Sequence, residues 1–331
     1  GGLPAALLIS LVASSVGFIS AVYFVGYGYG LSMIAMGCLA LRHFSAAAAV
    51  SQLGLYHACM VIAWGARIFA FLLYRETVAW PGLRARTRET NKKFSPSARV
   101  STWLFVSLFY SLLFSPALFH LQAKTALPVL SQAGVAIGGA GLLLEAQSDQ
   151  AKSAFKKNKG DDFMSTGLYK ICRHPNYLGE IVFWTGSFVC GVGSLTSPLQ
   201  WSAASAGLAG IIAIMLKATE SLEKKQALKY GDREDYQKYV SSTPKLIPFM
   251  GGDDVKGIVT SAKESEKAQK EKAAKKKEDE AKKVILEEAK KADASKPAAA
   301  APKPAESKPA AKKEEKKEEK KEEKKEEKKE E

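Results

Sequence analysis

The first 75 residues of the sequence contain no aspartate or glutamate. A soluble fold of that size spreads carboxylates over its surface, so this absence argues against a soluble N-terminal domain. The four cysteines are far apart in the chain and form no CxxC pair, which argues against a disulfide scaffold and against a zinc-binding motif. We therefore predict no metal site from the sequence.

The C-terminal segment from residue 251 onward lacks aromatic residues altogether. It holds 25 of the 48 Lys and Arg residues and 22 of the 34 Asp and Glu residues, so its charges nearly cancel. The preceding residues therefore carry most of the net charge of +14. We predict two regions, a multi-span membrane domain over residues 1–250 and a charged cytosolic tail over residues 251–331.

The tail is rich in Ala, Lys and Glu, which predicts a solvated helix with coiled-coil character over residues 261–292. Its closing KKEE repeats place like charges four residues apart, so we expect disorder there. Two interpretations stay open: a docking arm for acidic lipid or a protein partner, or a solvated segment without a specific role. Nucleic acid is not an expected partner, because acids alternate with bases and no ring can stack. We expect the chain from Lys256 onward to be dispensable for activity.

Seven stretches are apolar and long enough, or nearly so, to cross about 30 Å of hydrocarbon. Buried core helices of a soluble protein are the alternative, but such a protein has no need for so many. We predict an all-α, polytopic membrane protein of about seven transmembrane helices with a charged, largely disordered C-terminal tail. The seven stretches are Leu3–Val25, Tyr29–Val50, Leu53–Tyr74, Val100–Leu121, Ala126–Leu144, Tyr177–Gly193 and Leu199–Leu216.

The charge of the connecting loops alternates along the chain. Loops Arg75–Arg99 and Gln147–Asn176 and the segment after Leu216 are rich in Lys and Arg. In contrast, Gln122–Thr125 has one Lys and Ser194–Pro198 has no charge. By the positive-inside rule, the basic loops and the tail lie in the cytosol. We expect the endoplasmic reticulum or another internal membrane as the location.

The densest group of polar residues is the stretch GLYKICRHPNYLGE, Gly167–Glu180, which leads directly into an apolar span. Proline is favoured in the first turn of a helix, so we predict that a helix begins at Pro175. Asn176 and Glu180 then share one helical face. A carboxylate one turn inside a membrane span needs a partner or a polar ligand. Composition allows two interpretations, a ligand cavity or a set of interface anchors and internal ion pairs.

Two further polar groups lie near the same predicted membrane boundary. Asp149 and Lys152 are three residues apart upstream, on one helical face. Downstream, carboxylates and tyrosines precede a Leu-Ile-Pro sequence. All three groups are candidates for one cavity that holds a polar cofactor. The downstream residues are Glu220, Glu223, Tyr230, Tyr236 and Tyr239.

The stretch Asp149–Glu180 resembles the steroid 5-alpha-reductase C-terminal domain superfamily, most closely an uncharacterised membrane branch of it. That branch carries AD-x-QK-x-x-F, then G-L-W/Y, then S-RHPNY-x-GE, then W-x-G. The resemblance covers about residues 60–250 and excludes the tail. The matching positions are Asp149, Lys152, Phe155, Gly167, Leu168, Tyr169, Arg173, His174, Pro175, Asn176, Tyr177, Gly179, Glu180, Trp184 and Gly186.

The resemblance implies an all-helical membrane fold with a cytosol-facing NADPH cavity. It also implies reduction of a C=C bond in a lipid-soluble steroid, sterol or other enone, with membrane lipid as the surroundings. Arg and Lys suit the cofactor phosphates, and Asn, Tyr and Glu suit its ribose and amide groups. Carried over position by position, the cofactor-binding residues are Asp149, Lys152, Arg173, His174, Asn176, Tyr177 and Glu180.

Two departures from the family pattern affect these expectations. Ala151 stands where the branch usually has Gln. The steroid reductases proper carry a Gln-Glu pair on an early helix near the substrate carbonyl, whereas no acid precedes Glu76 here. We therefore take Tyr56 and His57, on the third predicted span, as candidate hydrogen-bond donors, although ordinary helix packing also explains them. Tyr177 completes the predicted catalytic set.

Two rival functions remain. The isoprenylcysteine carboxyl methyltransferases share the fold and an RHP-x-Y element but use S-adenosylmethionine. In them a bulky residue tends to follow the Gly that Gly179 matches, whereas Glu180 follows it here. The other rival is a non-enzymatic membrane scaffold, which predicts a cavity filled by side chains.

Overall fold

The computed structural model describes residues 2–45, 51–80, 82–123, 127–160 and 162–294. Within these ranges the secondary structure is helical and no strand occurs, which confirms the all-α prediction. The KKEE repeats, for which we predict disorder, lie outside the described residues. In the described ranges the α-helices are α1 (Leu3–Ser14), α2 (Ala21–Val25), α3 (Tyr27–Ser45), α4 (Gln52–Tyr74), α5 (Leu83–Lys92), α6 (Pro96–Gln122), α7 (Pro128–Lys159), α8 (Pro175–Gly191), α9 (Pro198–Tyr230), α10 (Glu234–Ser242) and α11 (Val255–Ala294).

Four helical segments among the described residues are long and apolar enough to cross a membrane. They indicate a multi-pass membrane protein. The first predicted span, in contrast, is divided between α1, a 3₁₀ turn over Ser15–Phe18, and the short helix α2. Helix α8 has 17 residues, somewhat fewer than a typical span. The four segments are Gln52–Ala79, Pro96–Gln122, Pro128–Lys159 and Pro198–Tyr230.

The chain divides into two compact units, Gly1–Ala268 and Gln269–Glu331. The first unit continues beyond residue 250, where composition places the boundary. Val255 and Ala262 account for the difference, because only 6% and 2% of their surfaces are exposed. Val255 packs with Phe163 in a small apolar cluster. The beginning of α11 therefore belongs to the first folded unit and not to a detached tail.

The long helices α6, α7, α8 and α9 each begin with proline, at Pro96, Pro128, Pro175 and Pro198. Proline fits the first helical position because its missing N–H has no intrahelical partner there. The predicted helix start at Pro175 is therefore confirmed. At α9 the preceding residue, Ser197, forms a capping box with Gln200: each side chain accepts a hydrogen bond from the other residue's backbone N–H.

Helices α7 and α8 pack with their backbones almost in contact. A Cβ added at Gly186 would lie only 2.2 Å from the backbone N of Gly138. A Cβ added at Gly179 would lie 2.6 Å from the backbone N of Glu145. Only glycine permits helices to approach this closely. The close packing fixes Glu145 of α7 beside the first turn of α8, where the predicted site begins.

Candidate functional site

Arg173 immediately precedes the N-cap of α8 and connects it to the C-terminal part of the first unit. Its Nε and Nη2 donate to the two carboxylate oxygens of Glu223, at 3.1 and 2.6 Å. Nη2 also donates to Asp253 at 2.6 Å. Nη1 donates to the carbonyls of Val240 and Thr243, at 2.9 and 2.5 Å. Only 3% of Arg173 is exposed, so every guanidinium nitrogen is committed to the protein.

His174 completes this arrangement. Its Nε2 lies 2.6 Å from Glu223 Oε1, and because a carboxylate accepts, Nε2 carries the proton. The backbone N–H groups of Arg173 and His174 donate to the carbonyls of Pro244 and Lys245, at 2.9 and 3.1 Å. We refer to Arg173, His174, Glu223 and Asp253 as the Arg173 clamp. The clamp holds the start of α8 against the segment that follows α10.

The electrostatics of the clamp follow from burial and from its two carboxylates. Burial lowers the pKa of His174, and the hydrogen bond to Glu223 only partly opposes this, so the imidazole is neutral near pH 7. Burial also disfavours the charge of Arg173, but Glu223 and Asp253 outweigh it and raise the pKa of Arg173. Both side chains are thus used to hold the fold, and cofactor binding by Arg173 and His174 stays a prediction.

Asp149 is ion-paired inside the protein. Arg67 on α4 donates from Nη1 to Asp149 at 2.7 Å and from Nη2 to Glu145. Glu145 also accepts from Trp64 Nε1–H at 2.7 Å. These pairs join α4 to the C-terminal half of α7. Asp149 thus lies at the predicted site, but with its charge compensated by Arg67.

Glu180 lies one turn into α8 and accepts a hydrogen bond from Tyr29 on α3, at 3.2 Å. The Tyr29 ring stacks on Tyr110 with centroids 4.6 Å apart and contacts the edges of Trp64. Trp184 stacks on its other side at 6.2 Å. Tyr29, held among these rings, is therefore the polar partner that the sequence indicates Glu180 must have.

A cavity of about 340 Å³ opens beside the Tyr29–Glu180 pair. Its volume lies within the range of small-molecule sites. At the polar end, Glu76 accepts hydrogen bonds from Tyr23 and Tyr27, at 2.7 and 2.8 Å. The remaining wall is apolar and comes from α4, α6 and α9. That wall includes Ile68, Leu72, Phe105, Val106, Phe109, Ile211, Ile214 and Met215.

Two cations, Arg75 in the cavity wall and Lys152 on α7, form no ion pair with a carboxylate among the described residues, although the charge of Asp149 acts on Lys152. Arg75 lines the cavity, lies over the Phe71 ring at 5.7 Å, and has a buried Nε without a hydrogen bond. Lys152 lies over the Tyr169 ring at 5.6 Å. It is also near enough to Arg75 for the two positive charges to repel each other. Asn176 adds a buried Oδ1 that also lacks a hydrogen bond. Arg75 Nε and Asn176 Oδ1 are thus two of the buried polar atoms of the site without a hydrogen bond; Trp184 Nε1, His174 Nδ1 and Arg67 Nε are others among the described residues.

The three predicted catalytic residues differ in their burial and in their position relative to the cavity. Tyr56 is 54% exposed and does not line the cavity. His57 is fully buried beside Ser187 of α8, at 2.8 Å. Ser187 lies seven residues beyond Glu180, or about 10 Å along the helix. Tyr177 stacks on His174 with ring centroids 5.5 Å apart, so it packs against the clamp, and it is not among the residues that line the cavity.

Several site residues were not predicted from the sequence. Tyr23 and Tyr27 lie four apart in an apolar stretch, and Glu76 is the first acid in the chain. A tyrosine pair on one face and a lone carboxylate after a span are signals that could have marked this end of the cavity. Tyr29 gives no comparable signal, because its contact with Glu180 joins residues 151 positions apart.

Comparison with known proteins gives a family. A family model described as "Protein of unknown function (DUF1295)" matches residues 10–243, more than half of the chain. The chain belongs to this family. The DUF1295 match contains the cavity and all of the Arg173 clamp except Asp253.

One curated relative adds a partial match. It is described as "Uncharacterized protein C594.04c" of Schizosaccharomyces pombe and is 28% identical over 93 residues. The matched part is 28% of this chain and 26% of the relative, so it spans about a quarter of the relative's length. No solved structure matches the chain.

Proposed function

We propose that the protein is an integral-membrane, NADPH-dependent reductase of a C=C bond in a lipid-soluble enone, such as a steroid or sterol. The observation that carries the proposal is the cavity: Arg75, without a carboxylate partner, lines it together with the buried Tyr29–Glu180 pair and an apolar wall, and the unpartnered amide of Asn176 lies one helical turn before Glu180. The resemblance of Asp149–Glu180 to the steroid 5-alpha-reductase superfamily supports the same class.

The residues present fit NADPH. Arg75 and Lys152 would hold its phosphates, since a cation without a carboxylate partner is available to an anionic ligand. Asn176, with its unpartnered Oδ1, would accept from the amide of the nicotinamide, and Tyr177 would lie against it. Asp149 would accept from a ribose hydroxyl while remaining paired with Arg67. Bound there, NADPH would supply a hydride equivalent to the β-carbon of the substrate.

The chain's own residues would bind and polarise the substrate. The apolar wall would hold the hydrocarbon part and exclude water from the reacting carbon. Tyr29 replaces Tyr56 and His57 as the proposed donor, because its hydroxyl lies in the cavity wall against Glu180. With Glu180 protonated, Glu180 donates to Tyr29 Oη and Tyr29 donates to the substrate oxygen. This hydrogen bond stabilises the negative charge that develops on that oxygen.

Two rivals are less well supported. S-adenosylmethionine has a cationic sulfonium, no phosphate and a single carboxylate, so it accounts for two cations without carboxylate partners, Arg75 and Lys152, less well than NADPH with its several phosphate groups. A scaffold without a ligand is expected to fill its interior with side chains, whereas a cavity of about 340 Å³ is present here.

We further propose that three shorter apolar segments also cross the membrane, which gives seven spans. Helix α3 has 19 residues and α8 has 17, lengths of about 28 and 26 Å, close to the hydrocarbon thickness. Residues 3–25 would cross with a break at their 3₁₀ turn. The basic loops would then share the cytosolic side with the site's cations. Cysteine labelling at Ser194–Pro198 from the cytosolic side would contradict this arrangement.

Ligand binding by the purified full-length protein in detergent tests the reductase proposal. We expect NADPH to quench the fluorescence of the buried tryptophans Trp64 and Trp184, with S-adenosylmethionine ineffective. Lys152→Ala should weaken NADPH binding by about tenfold, the effect of losing one charged contact worth about 1.4 kcal/mol. Lys157→Ala, an exposed position five residues further along α7, is the control and should bind normally. Binding of S-adenosylmethionine alone would favour the methyltransferase instead.

A further inference from the structure

Three potential metal ligands meet in the interior, away from the cavity. They are His57 on α4, His120 on α6 and Cys190 on α8, with 0%, 0% and 1% of their surfaces exposed. His57 Nδ1 and His120 Nδ1 are 3.2 Å apart, and Cys190 Sγ is 3.7 Å from His120 Nδ1. All three ligand atoms lie within 4.8 Å of one another.

These separations match the spacing of donors around one metal ion. Metal–nitrogen bonds of about 2.0 Å and metal–sulfur bonds of about 2.3 Å at tetrahedral angles place two nitrogens about 3.3 Å apart. The same geometry places nitrogen and sulfur about 3.6 Å apart. The observed values of 3.2 and 3.7 Å are close to these spacings, and all three ligand atoms lie within 4.8 Å of one another, which is compatible with one shared ion.

The outer nitrogens of the two imidazoles also suit a metal. His57 Nε2 lies 2.8 Å from Ser187 Oγ, and a hydroxyl that accepts from Nε2–H leaves the Nδ1 lone pair of His57 free. His120 Nε2 is buried and has no hydrogen-bond partner among the described residues. No described protein group therefore fixes the tautomer of His120 at Nε2, and an ion bound at Nδ1 would place the proton on Nε2, so that both Nδ1 lone pairs face the ion.

The surrounding backbone is arranged to keep the three donors in place. A Cβ added at Gly191 would lie 2.7 Å from the carbonyl oxygen of Pro116, so α6 and α8 are in close contact at this level. Pro116 cannot donate to the carbonyl of Leu112, and Ser115 Oγ–H donates to it instead at 2.7 Å. The donors thus come from rigid helices, as a preorganised metal site requires.

The donor set restricts the ion. Two imidazoles and one thiolate favour the d¹⁰ ions Cu⁺ and Zn²⁺ over Mg²⁺ or Ca²⁺, which prefer oxygen. Charge then separates the two candidates. A thiolate with Cu⁺ is neutral overall, whereas with Zn²⁺ it leaves one net positive charge in an apolar interior, which is costly.

We propose that His57, His120 and Cys190 form a buried three-ligand site for a d¹⁰ transition-metal ion, with Cu⁺ favoured by charge balance. The site is independent of the proposed reductase cavity, because Ser187 and Glu180 are about two helical turns apart. It gives His57 a role in place of the predicted catalytic one. The widely spaced cysteines conceal it in the sequence, since each ligand comes from a different helix.

Metal titration of the full-length protein in detergent tests the site. All variants are made with Cys38→Ser and Cys59→Ser, because these exposed thiols would bind Cu⁺ themselves. Anaerobic Cu⁺ is titrated against a chromogenic chelator, and Zn²⁺ is titrated separately. We expect one equivalent of Cu⁺ per chain. Cys190→Ser and His120→Gln should lower the affinity by about 100-fold, and the control Cys172→Ser, another buried thiol, should not.

X-ray absorption is measured on the metal-loaded protein in which His57, His120 and Cys190 are unchanged. Its result does not depend on whether the ligand variants fold. We expect two nitrogen neighbours and one sulfur neighbour at about 2.3 Å. Tight Zn²⁺ binding with the same neighbours would support the site and identify Zn²⁺ as its ion. No binding of either ion, unchanged affinity in Cys190→Ser, or a spectrum without sulfur would overturn the proposal.

Discussion

The two halves of the stretch Arg173–Glu180 differ in how their polar atoms are used. Arg173 and His174 donate to Glu223, Asp253 and backbone carbonyls, and they are almost fully buried. A few residues later, Asn176 keeps a buried oxygen without a partner and Glu180 faces a cavity. Adjacent residues of one polar stretch therefore divide into a part that anchors α8 and a part that α8 presents to a ligand.

Removing the anchor should have the largest effect. Arg173→Ala leaves the carboxylates of Glu223 and Asp253 without their shared cation, and losing one partner of a buried pair costs about 3–5 kcal/mol. We expect a much lower thermal unfolding midpoint in detergent. Arg88→Ala, at an exposed arginine, is the control and should change stability by less than about 0.5 kcal/mol. Equal midpoints for both variants would show that the clamp does not hold the fold.

Two C-terminal truncations distinguish the residues that help to anchor the fold from the tail that follows them. Truncation after Gly252 removes Asp253 and the buried Val255 and Ala262. We expect it to destabilise the protein by about 2–4 kcal/mol, from a lost buried ion-pair partner and lost apolar packing. Truncation after Ala268 keeps all three residues and should leave the unfolding midpoint unchanged. Equal stability of the two truncated chains would place the boundary at residue 250 after all, as composition alone predicts.

Changing the ligand-facing half should affect binding and leave stability unaltered. In Glu180→Gln the amide oxygen still accepts from Tyr29, so the fold keeps that hydrogen bond. The resemblance makes the Glu180 carboxyl a cofactor contact, so losing that carboxyl should weaken NADPH binding by about tenfold, equivalent to about 1.4 kcal/mol. Glu220→Gln, at an exposed carboxylate on α9, serves as the control in the same binding assay. A lower unfolding midpoint with unchanged NADPH affinity would assign Glu180 to the anchor.

A smaller effect is expected from the neutral imidazole of the clamp. The pKa of His174 is lowered by burial, so the unfolded chain takes up a proton first as the pH falls below about 6.5. Stability should be complete above that pH and fall with acidification by at most about 1.4 kcal/mol per pH unit from this group. His174→Gln should flatten the slope of unfolding midpoint against pH, and the exposed His43→Gln should not. Parallel slopes would indicate that His174 is not buried as a neutral ring.

Local patterns predict a good part of this structure. Apolar stretches and proline positions indicate the long helices, and the isolated carboxylate of Glu180 indicates that a polar partner must exist. The alternative interpretation, in which Arg173 is an interface anchor and Glu180 an internal ion-pair partner, does not describe the structure: Arg173 is the internal ion-pair partner and Glu180 bonds to Tyr29. Each of these inferences needs only residues close together in the chain.

Contacts between distant helices could not be predicted in this way. Tyr29 meets Glu180 across 151 positions, and His57 meets His120 across 63. Which residues face each other there depends on the rotation and tilt of each helix, which local periodicity does not determine. The packing of residues just beyond 250 could not be predicted for a related reason, because burial of Val255 depends on Phe163 and not on its polar neighbours in sequence.

The sequence separations within the Arg173 clamp set an order of assembly during synthesis. Glu223 follows Arg173 by 50 residues and Asp253 follows it by 80. At about 5–20 residues per second, the ribosome needs roughly 4–16 s to supply the second carboxylate. Helices α7 and α8 are neighbours in sequence and can pair in that interval, whereas the clamp must wait. Anchoring of α8 is therefore a late event in biogenesis, and only a chain translated through Asp253 completes it.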